Sequence, residues 1–110
     1  MPHPGEVVLI PFPYTDLATA KRRPILVLQP VDVFGDFLAV AVTSQAGHQD
    51  AVALTQKDFR EGALPRPSYV RTTKLYTLNE RLVAHRFGAL TPEAFARTHA
   101  AICTVLGCQR

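Results

Sequence analysis

Two groups of basic side chains carry the clearest chemical pattern in this sequence. Lys21, Arg22 and Arg23 are consecutive, and residues 57–86 hold seven basic and three acidic side chains, a segment charge of +4. Arginine stays charged, and its planar guanidinium fits two oxygens of a phosphate. The whole chain has a net charge of only +3, which permits a nucleic-acid partner without requiring one. If the fold brings the two groups together, they form a basic face.

Length and composition limit the class of protein. A chain of 110 residues, 47% hydrophobic and 19% charged, predicts one folded domain, residues 1–110, with a sheet-based core. No apolar run approaches the length of a membrane span, and the amino terminus lacks the pattern of a secretory signal, so we expect a cytoplasmic protein. Cys103 and Cys108 lack the spacing of metal ligands, which predicts two free thiols and no zinc site. We also expect no cofactor.

Apolar segments rich in β-branched residues predict the strands. Their bounds are residues 7–10, 24–28, 37–43, 51–55, 68–73 and 82–90, with residues 75–77 continuing the fifth segment or starting a short partner. Pro24 fits only at the start of its strand, and the third segment, apolar on both faces, belongs in the centre of the sheet. Residues 13–21 predict a long loop, and residues 58–62 predict one helical turn.

The last segment has the pattern of an amphipathic helix. Thr91 is a candidate N-cap, Pro92 suits the first helical position, and Glu93 suits the first turn. Gly107 is placed to end the helix, and one apolar stripe runs along it: Phe95, Thr98 or His99, Ile102 and Leu106. Five or six strands and one C-terminal α-helix predict a mainly β (α+β) fold, a small and partly open barrel.

Several segments together resemble a known family. GEVVLIPFPYTD at residues 5–16, followed by KRRPILVL at residues 21–28, and SYVRTTKLYTL at residues 68–78 are similar to the PemK/MazF toxins of bacterial toxin–antitoxin pairs. AVTS at residues 41–44 and LTPE at residues 90–93 resemble that family's third-strand end and last-helix start. The order and spacing also match, so that the resemblance covers nearly the whole chain.

The resemblance implies a fold, an activity and partners. The fold would be the plasmid-maintenance-toxin barrel, which is similar to the SH3 class, with a C-terminal helix and a homodimeric assembly. The activity would be that of an mRNA interferase, which cuts single-stranded RNA without a metal through attack of a 2′-hydroxyl on the adjacent phosphate. The partners would be mRNA and a cognate antitoxin, whose acidic segment blocks the RNA groove.

Three matched positions are the candidate catalytic residues. Arg23 matches an arginine that holds the phosphate, Thr43 matches a hydroxyl that touches the scissile phosphate, and Arg71 matches an arginine with an acid or electrostatic role. The residues by themselves leave structural alternatives open. Arg23 could be a surface arginine at a strand start, Thr43 a threonine bonded to a turn, and Arg71 an edge-strand charge that prevents sheet stacking.

Seven further residues are candidates for binding the substrate. They are cationic, hydroxyl and aromatic side chains close to the matched positions: Phe12, Tyr14, Lys21, Arg22, Ser44, Thr73 and Lys74. Rings such as Phe12 and Tyr14 stack on unpaired bases, and packing in the core or the loop is the alternative. Arg22 points away from Arg23 on an extended chain, so a contact with the RNA backbone and simple solvation both stay open.

Thr73 departs from the family pattern. Many members carry an aspartate there, two residues after the matched arginine, as a general base or as a residue that orients the RNA. A threonine hydroxyl is not a useful base near neutral pH. Other candidate bases are Glu6, Asp16, His48 and His85, and the base stays unassigned. If only the base is lacking, Thr73→Asp should raise cleavage.

This departure keeps further functions open beside the endoribonuclease toxin. A non-catalytic or degenerate member of the fold would act by binding nucleic acid or a protein target such as DNA gyrase. A generic barrel that binds peptides or nucleic acid would explain the basic segment but not the matched motifs. The endoribonuclease hypothesis is distinguished from both because it predicts cleavage of a long RNA in EDTA.

Overall fold

The computed structural model describes residues 1–12 and 21–108, without the side chains of Phe12 and Lys21. Within these ranges, seven strands form one antiparallel sheet in the order β4-β6-β3-β2-β1-β7-β5. The elements are β1 (Glu6–Phe12), β2 (Lys21–Val27), β3 (Asp36–Thr43), β4 (Ala51–Leu54), β5 (Phe59–Gly62), β6 (Ser68–Asn79), β7 (His85–Leu90) and α1 (Pro92–Leu106). The mainly β fold with one C-terminal helix is confirmed, with seven strands in place of five or six.

The central strands are apolar on both faces of the sheet. Along β1, Val7 packs in one buried cluster and Val8 and Ile10 in another, and β2 and β3 alternate in the same way. Successive side chains of a strand point to opposite faces, so each of these strands contributes to two cores. Ala94 and Ile102 of α1 complete the first cluster. The prediction of a doubly buried third strand is therefore confirmed.

The helix begins and ends as its sequence predicts. The Thr91 hydroxyl accepts a hydrogen bond from the Ala94 N–H at 3.1 Å, and Gly107 ends the helix with a φ of 75°. Thr98 rather than His99 is the buried member of the apolar stripe. The buried part of the stripe ends at Ile102, and Leu106 is 60% exposed.

Pro24 lies inside its strand rather than at the start. It pairs with Leu9 of β1, whereas β3 pairs with β2 only at Ile25, Leu26 and Val27. A proline lacks the N–H that a two-sided ladder needs, but at this position β2 has no β3 partner. As a result β2 starts at Lys21, and Arg22 and Arg23 belong to the strand.

Two other predicted elements are wrong. Residues 58–62 are not a helical turn: a 3₁₀ turn (Gln56–Asp58) leads into β5, which pairs with β7. Gly62 and Gly88 make this close pairing possible, because a Cβ on Gly62 would collide with the Phe87 carbonyl oxygen. The last predicted strand is shorter than expected, since a 3₁₀ turn (Glu80–Leu82) precedes β7.

A large bulge interrupts the pairing between β3 and β6. Val40 pairs with Leu75 and Ala41 with Arg71, so residues 72–74 of β6 have no partner on β3. β6 is nevertheless one continuous strand, so residues 75–77 continue the fifth predicted segment and do not start a partner. Extra residues in one strand bend it and redirect its side chains, so the bulge determines where Arg71 and its neighbours lie.

Candidate functional site

Side chains from three strands meet around a cavity beside the β6 bulge. Its volume is about 300 Å³, and its lining comes from β2, the end of β3 with the following turn, and β6: Arg23, Ala41, Val42, Thr43, Gln45, His48, Arg71, Lys74 and Tyr76. The three candidate catalytic residues Arg23, Thr43 and Arg71 therefore line one cavity. These residues are distant in the sequence, and the strand order β6-β3-β2 brings them together.

A second cavity of about 560 Å³ continues the first. Both are lined by Arg23, Val42, Thr43 and Gln45, and the second adds Arg22, Pro24, Ser44, Leu64, Pro65, Arg66, Ser68 and Phe87. We call the two cavities together the basic groove. Of the side chains that the structure describes, its lining includes five cations and no carboxylate: Arg22, Arg23, Arg66, Arg71 and Lys74. Arg22 and Arg23 of the first basic group thus share one surface with Arg66, Arg71 and Lys74 of the second.

Neighbouring arginines of β2 both reach this groove. Arg23 pairs with Ile10 of β1 and is half-buried, whereas Arg22 pairs with Pro11 and is exposed. Both line the larger cavity. The expected divergence of Arg22 from Arg23 on an extended strand does not keep its long side chain out of the groove.

Thr43 combines a turn contact with a place in the groove. Its hydroxyl oxygen accepts a hydrogen bond from the Gln45 N–H at 3.1 Å, as the structural alternative predicts. A hydroxyl has one proton and two lone pairs, so this bond leaves the proton free to be donated. Thr43 is half-buried and lines both cavities, and Ser44 lines the larger one.

Arg71 is not an edge-strand charge. β6 lies between β4 and β3, and Arg71 pairs with Ala51 on one side and Ala41 on the other. The edge-strand alternative is therefore wrong. The Arg71 Nε donates to Asp50 Oδ1 at 3.1 Å, in an ion pair whose side chains are 24% and 13% exposed. Within residues 1–12 and 21–108, no hydrogen bond engages its two terminal Nη groups.

Asp50 is a residue that sequence reasoning missed. It directly precedes β4, and its Oδ2 accepts hydrogen bonds from the Thr73 hydroxyl at 2.6 Å and the Thr73 N–H at 3.2 Å. The Thr73 hydroxyl lowers the pKa of Asp50 from 3.8 to about 2; burial opposes this, and the Thr73 N–H and Arg71 reinforce it. The sequence alone holds no signal that selects Asp50, because its proximity to Arg71 depends on the pairing of β4 with β6.

The candidate bases are spread over the molecule. His48 is half-buried and lines the smaller cavity, whereas His85 packs edge-on against Phe87 with ring centres 5.0 Å apart. Glu6 lies at a different cavity, paired with Arg86. Burial acts to raise the pKa of Glu6, but hydrogen bonds from the backbone N–H of His3 and from Arg86 together hold it below its usual value. Asp16 lies outside the described residues.

The aromatic side chains that line the groove in the described structure differ from those predicted from the sequence. Tyr14 and the side chains of Phe12 and Lys21 lie outside the described residues, and Thr73 and Lys74 are exposed in the bulge. The rings that line the groove are Tyr76 and Phe87, which sequence reasoning did not select. Tyr76 belongs to the family-like segment of β6, so its place in that segment was the available clue.

The described part of the chain lacks grouped metal ligands and long apolar helices. In residues 1–12 and 21–108, no three His, Cys, Asp or Glu side chains are grouped as metal ligands would be. Cys103 and Cys108 are free thiols at the end of α1. None of the helices described in those ranges has the length and apolar character needed to cross a membrane.

The family of the chain follows from comparison with known proteins. The model of the PemK-like, MazF-like toxins of type II toxin–antitoxin systems matches residues 3–106. The chain belongs to this family. A comparison with curated proteins gives no match.

Solved structures of the same fold include toxins alone and with their antitoxins. MazF from Deinococcus radiodurans is 27% identical with a TM-score of 0.75, covering 96% of each chain. A MazE–MazF complex of that organism is 26% identical with a TM-score of 0.73, covering 96% of this chain and 95% of the other. An endoribonuclease from a mycobacterial species, in complex with its cognate antitoxin, shares the fold at 22% identity and a TM-score of 0.76, covering 100% and 99%.

Proposed function

We propose that this protein is a toxin that cleaves single-stranded RNA in the basic groove, with Arg23, Thr43 and Arg71 as its catalytic residues. The observation that carries the proposal is the convergence of these three side chains on one cavity. Membership of the MazF-like family and the likeness to a structure described as an endoribonuclease support the same activity. We place the protein in the cytoplasm, where its substrate is mRNA.

The proposed reaction needs no metal ion. The 2′-hydroxyl oxygen attacks the adjacent phosphorus, the bond from phosphorus to the 5′-oxygen breaks, and the products are a 2′,3′-cyclic phosphate and a 5′-hydroxyl. Arg23 and Arg71 stabilise the negative charge that develops on the phosphorane, and the Thr43 hydroxyl donates to one of its oxygens. His48, which lines the same cavity, accepts the 2′-hydroxyl proton, and water protonates the departing 5′-oxygen.

The rest of the groove binds the flanking RNA. Arg22, Ser44 and Arg66 line the larger cavity and suit the phosphates and sugars next to the cleaved bond. Tyr76 and Phe87 offer ring faces or edges to unpaired bases. Lys74 adds a further cation on the side of the bulge.

An acidic antitoxin segment is the proposed inhibitor. A groove lined by five cations and no carboxylate among the described side chains attracts an acidic peptide as well as RNA. Complexes of MazF with MazE among the similar structures support such a partner. We also propose a homodimer, which would extend the groove of a small domain across two copies.

Cleavage of a long single-stranded RNA in EDTA tests the proposal. The wild type is expected to cut the RNA and leave 5′-hydroxyl and cyclic-phosphate ends, and Arg71→Ala is expected to lose the activity. Arg81→Ala is the matched control, since Arg81 is exposed and does not line the groove. A well-folded wild type that leaves RNAs of varied sequence intact overturns the proposal and favours the non-catalytic binder.

A further inference from the structure

Asp50 joins the turn before β4 to the bulge of β6. Its backbone carbonyl oxygen accepts from the Thr72 N–H at 3.1 Å and from the Thr72 hydroxyl at 3.0 Å. Its carboxylate accepts from Arg71 and from both the hydroxyl and the N–H of Thr73. Five hydrogen bonds therefore link this one residue to three consecutive residues of β6, at the point where the pairing with β3 is interrupted.

The two carboxylate oxygens have different partners. Oδ1 accepts a hydrogen bond from the Nε of Arg71, and Oδ2 accepts hydrogen bonds from the hydroxyl and the N–H of Thr73. A carboxylate on Nε restricts rotation of the planar guanidinium, and the bonds to Thr73 restrict the carboxylate in turn. Among the described residues no hydrogen bond engages the terminal nitrogens of Arg71, and this side chain lines the cavity together with Arg23 and Thr43.

We infer that Asp50 is a positioning residue, which holds the guanidinium of Arg71 for contact with the scissile phosphate. This inference rests on the proposed function. Asp50 does not itself line the groove, and it acts through Arg71. Thr73 serves as the donor that fixes the Asp50 carboxylate. The carboxylate that the family resemblance places at position 73 is thus supplied from the turn before β4.

The same geometry argues against Asp50 as the general base. With its pKa lowered to about 2, the carboxylate is a weak proton acceptor at neutral pH. Both of its oxygens are also occupied by donors. A charged and immobilised carboxylate suits the holding of an arginine.

Asp50→Asn tests the assignment because it removes the charge and keeps the size of the side chain. We expect kcat for RNA cleavage to fall about 100-fold, the effect of a small misplacement of a catalytic group, with KM changing much less. The wild type and variant are compared on one RNA in EDTA. A folded Asp50→Asn that keeps the wild-type kcat overturns the inference.

Asp58→Asn is the matched control. Asp58 also carries a lowered pKa, accepts from the Thr55 N–H and pairs with Arg97 at 3.1 Å, and its side chain is 16% exposed against 13% for Asp50. It lies outside the groove. We expect a loss of thermal stability comparable to that of Asp50→Asn with unchanged cleavage. Equal losses of kcat in both variants would reduce Asp50 to a structural role and overturn the inference.

Thr73→Asp gives a second test, because it is expected to change cleavage in opposite directions in the wild-type and Asp50→Asn backgrounds. In the wild-type background it puts a second carboxylate against Asp50 Oδ2, now 2.6 Å from the Thr73 hydroxyl. We therefore expect cleavage to fall, contrary to the restoration expected from the sequence. In the Asp50→Asn background the same change returns a carboxylate beside Arg71, and kcat is expected to rise. A rise in the wild-type background, or none in the Asp50→Asn background, overturns the inference.

Thr73→Val covers the case in which Asp50→Asn does not fold. It removes one hydrogen bond to the carboxylate and keeps the Asp50 charge, so kcat is expected to fall less than in a folded Asp50→Asn. Unchanged kcat in Thr73→Val would contradict the inference. If the wild type cleaves no RNA, the proposed function is overturned. If the wild type cleaves RNA and Asp50→Asn is equally active, only the inference about Asp50 is overturned.

Discussion

Two arginine–carboxylate clusters in this molecule differ in how many guanidinium nitrogens donate to carboxylates. Arg86 of β7 donates through Nε to Glu6 at 2.8 Å and through Nη2 to Glu61 at 3.0 Å, so two carboxylates surround one guanidinium. Among the residues that the structure describes, Arg71 of β6 donates through Nε alone, to Asp50. The first cluster neutralises its arginine, and the second fixes its arginine while leaving the terminal nitrogens for a ligand.

The charges around the two clusters also differ, with carboxylates near Arg86 and further cations near Arg71. The cavity at Arg86 is lined by Glu6 and Glu80 together with that arginine, whereas the cavity at Arg71 is also lined by Arg23 and Lys74. Arg86 thus ties β1, β5 and β7 together, and its pKa is raised by its carboxylate partners. Under the proposed function, an arginine–carboxylate pair stabilises the fold at Arg86 and prepares an anion site at Arg71, because the neighbouring charges differ.

The largest expected contrast is between Arg71→Ala and Arg86→Ala. Arg71→Ala should reduce RNA cleavage by about 100-fold or more, as expected for loss of a group that stabilises the transition state. Arg86→Ala should leave cleavage unchanged and lower the free energy of unfolding by about 2 kcal/mol, since Glu6, with a side chain 11% exposed, loses its cation. Cleavage rates and urea titrations of both variants measure the two effects. Loss of cleavage in Arg86→Ala would remove the distinction between the clusters.

Arg23→Ala should weaken RNA binding by about 10- to 100-fold. A cleavage-resistant RNA with 2′-deoxy substitutions allows the affinity to be measured at several salt concentrations. Removal of one phosphate contact is expected to reduce the salt slope by about 0.7. Arg81→Ala, which removes the same charge from an exposed position outside the groove, should change the slope little. Equal slopes in the two variants would show that Arg23 acts only through the overall charge.

The acid dependence of stability should separate Asp50 from an ordinary surface carboxylate. In the folded protein the pKa of Asp50 is about 2, below the usual 3.8. The charged carboxylate therefore stabilises the fold fully above pH 3.8, and this stabilisation disappears as the pH falls through 2. At neutral pH, Asp50→Asn should lower the free energy of unfolding by about 1 to 2 kcal/mol. The difference from wild type should shrink at pH 2 in denaturant titrations. A difference independent of pH would show that the carboxylate charge is not involved.

The smallest expected effect is that of Arg60→Ala. Arg60 extends the Arg86 cluster through a pair with Glu61 at 2.9 Å, but the two side chains are 54% and 49% exposed. An exposed pair of this kind contributes about 0 to 0.5 kcal/mol. The melting temperature should therefore be nearly unchanged, and the rate of RNA cleavage should be the same as in the wild type. A measurable loss of cleavage would extend the functional surface to the side of the sheet that we consider structural.

Local sequence patterns predicted most of the elements and part of the site. Thr91, Pro92 and Gly107 define the ends of α1 because capping depends on a few adjacent residues. The continuous run of apolar residues in β3 likewise predicts burial on both faces. Pro24 was misplaced because its tolerance depends on where β3 stops pairing, which is a property of two strands rather than one.

Arg23 and Arg71 could be selected from the sequence, and Asp50 could not. An arginine beside a family-like motif is recognisable in the chain itself, whereas an aspartate in a turn is ordinary until its neighbours are known. Asp50 contacts Arg71 across 21 positions of sequence. The contact depends on the antiparallel register of β4 and β6, in which Ala51 is opposite Arg71.

The sequence by itself determined the mainly β composition, the capped C-terminal helix, the two basic groups and the motifs that resemble the family. The tertiary structure decided that members of both groups line one groove and that the Asp50 carboxylate binds Arg71 where position 73 offers only a hydroxyl. The physical reason lies in the range of the forces. Capping and side-chain alternation act within a few residues, whereas strand order and the bulge in β6 arise only when distant strands pair.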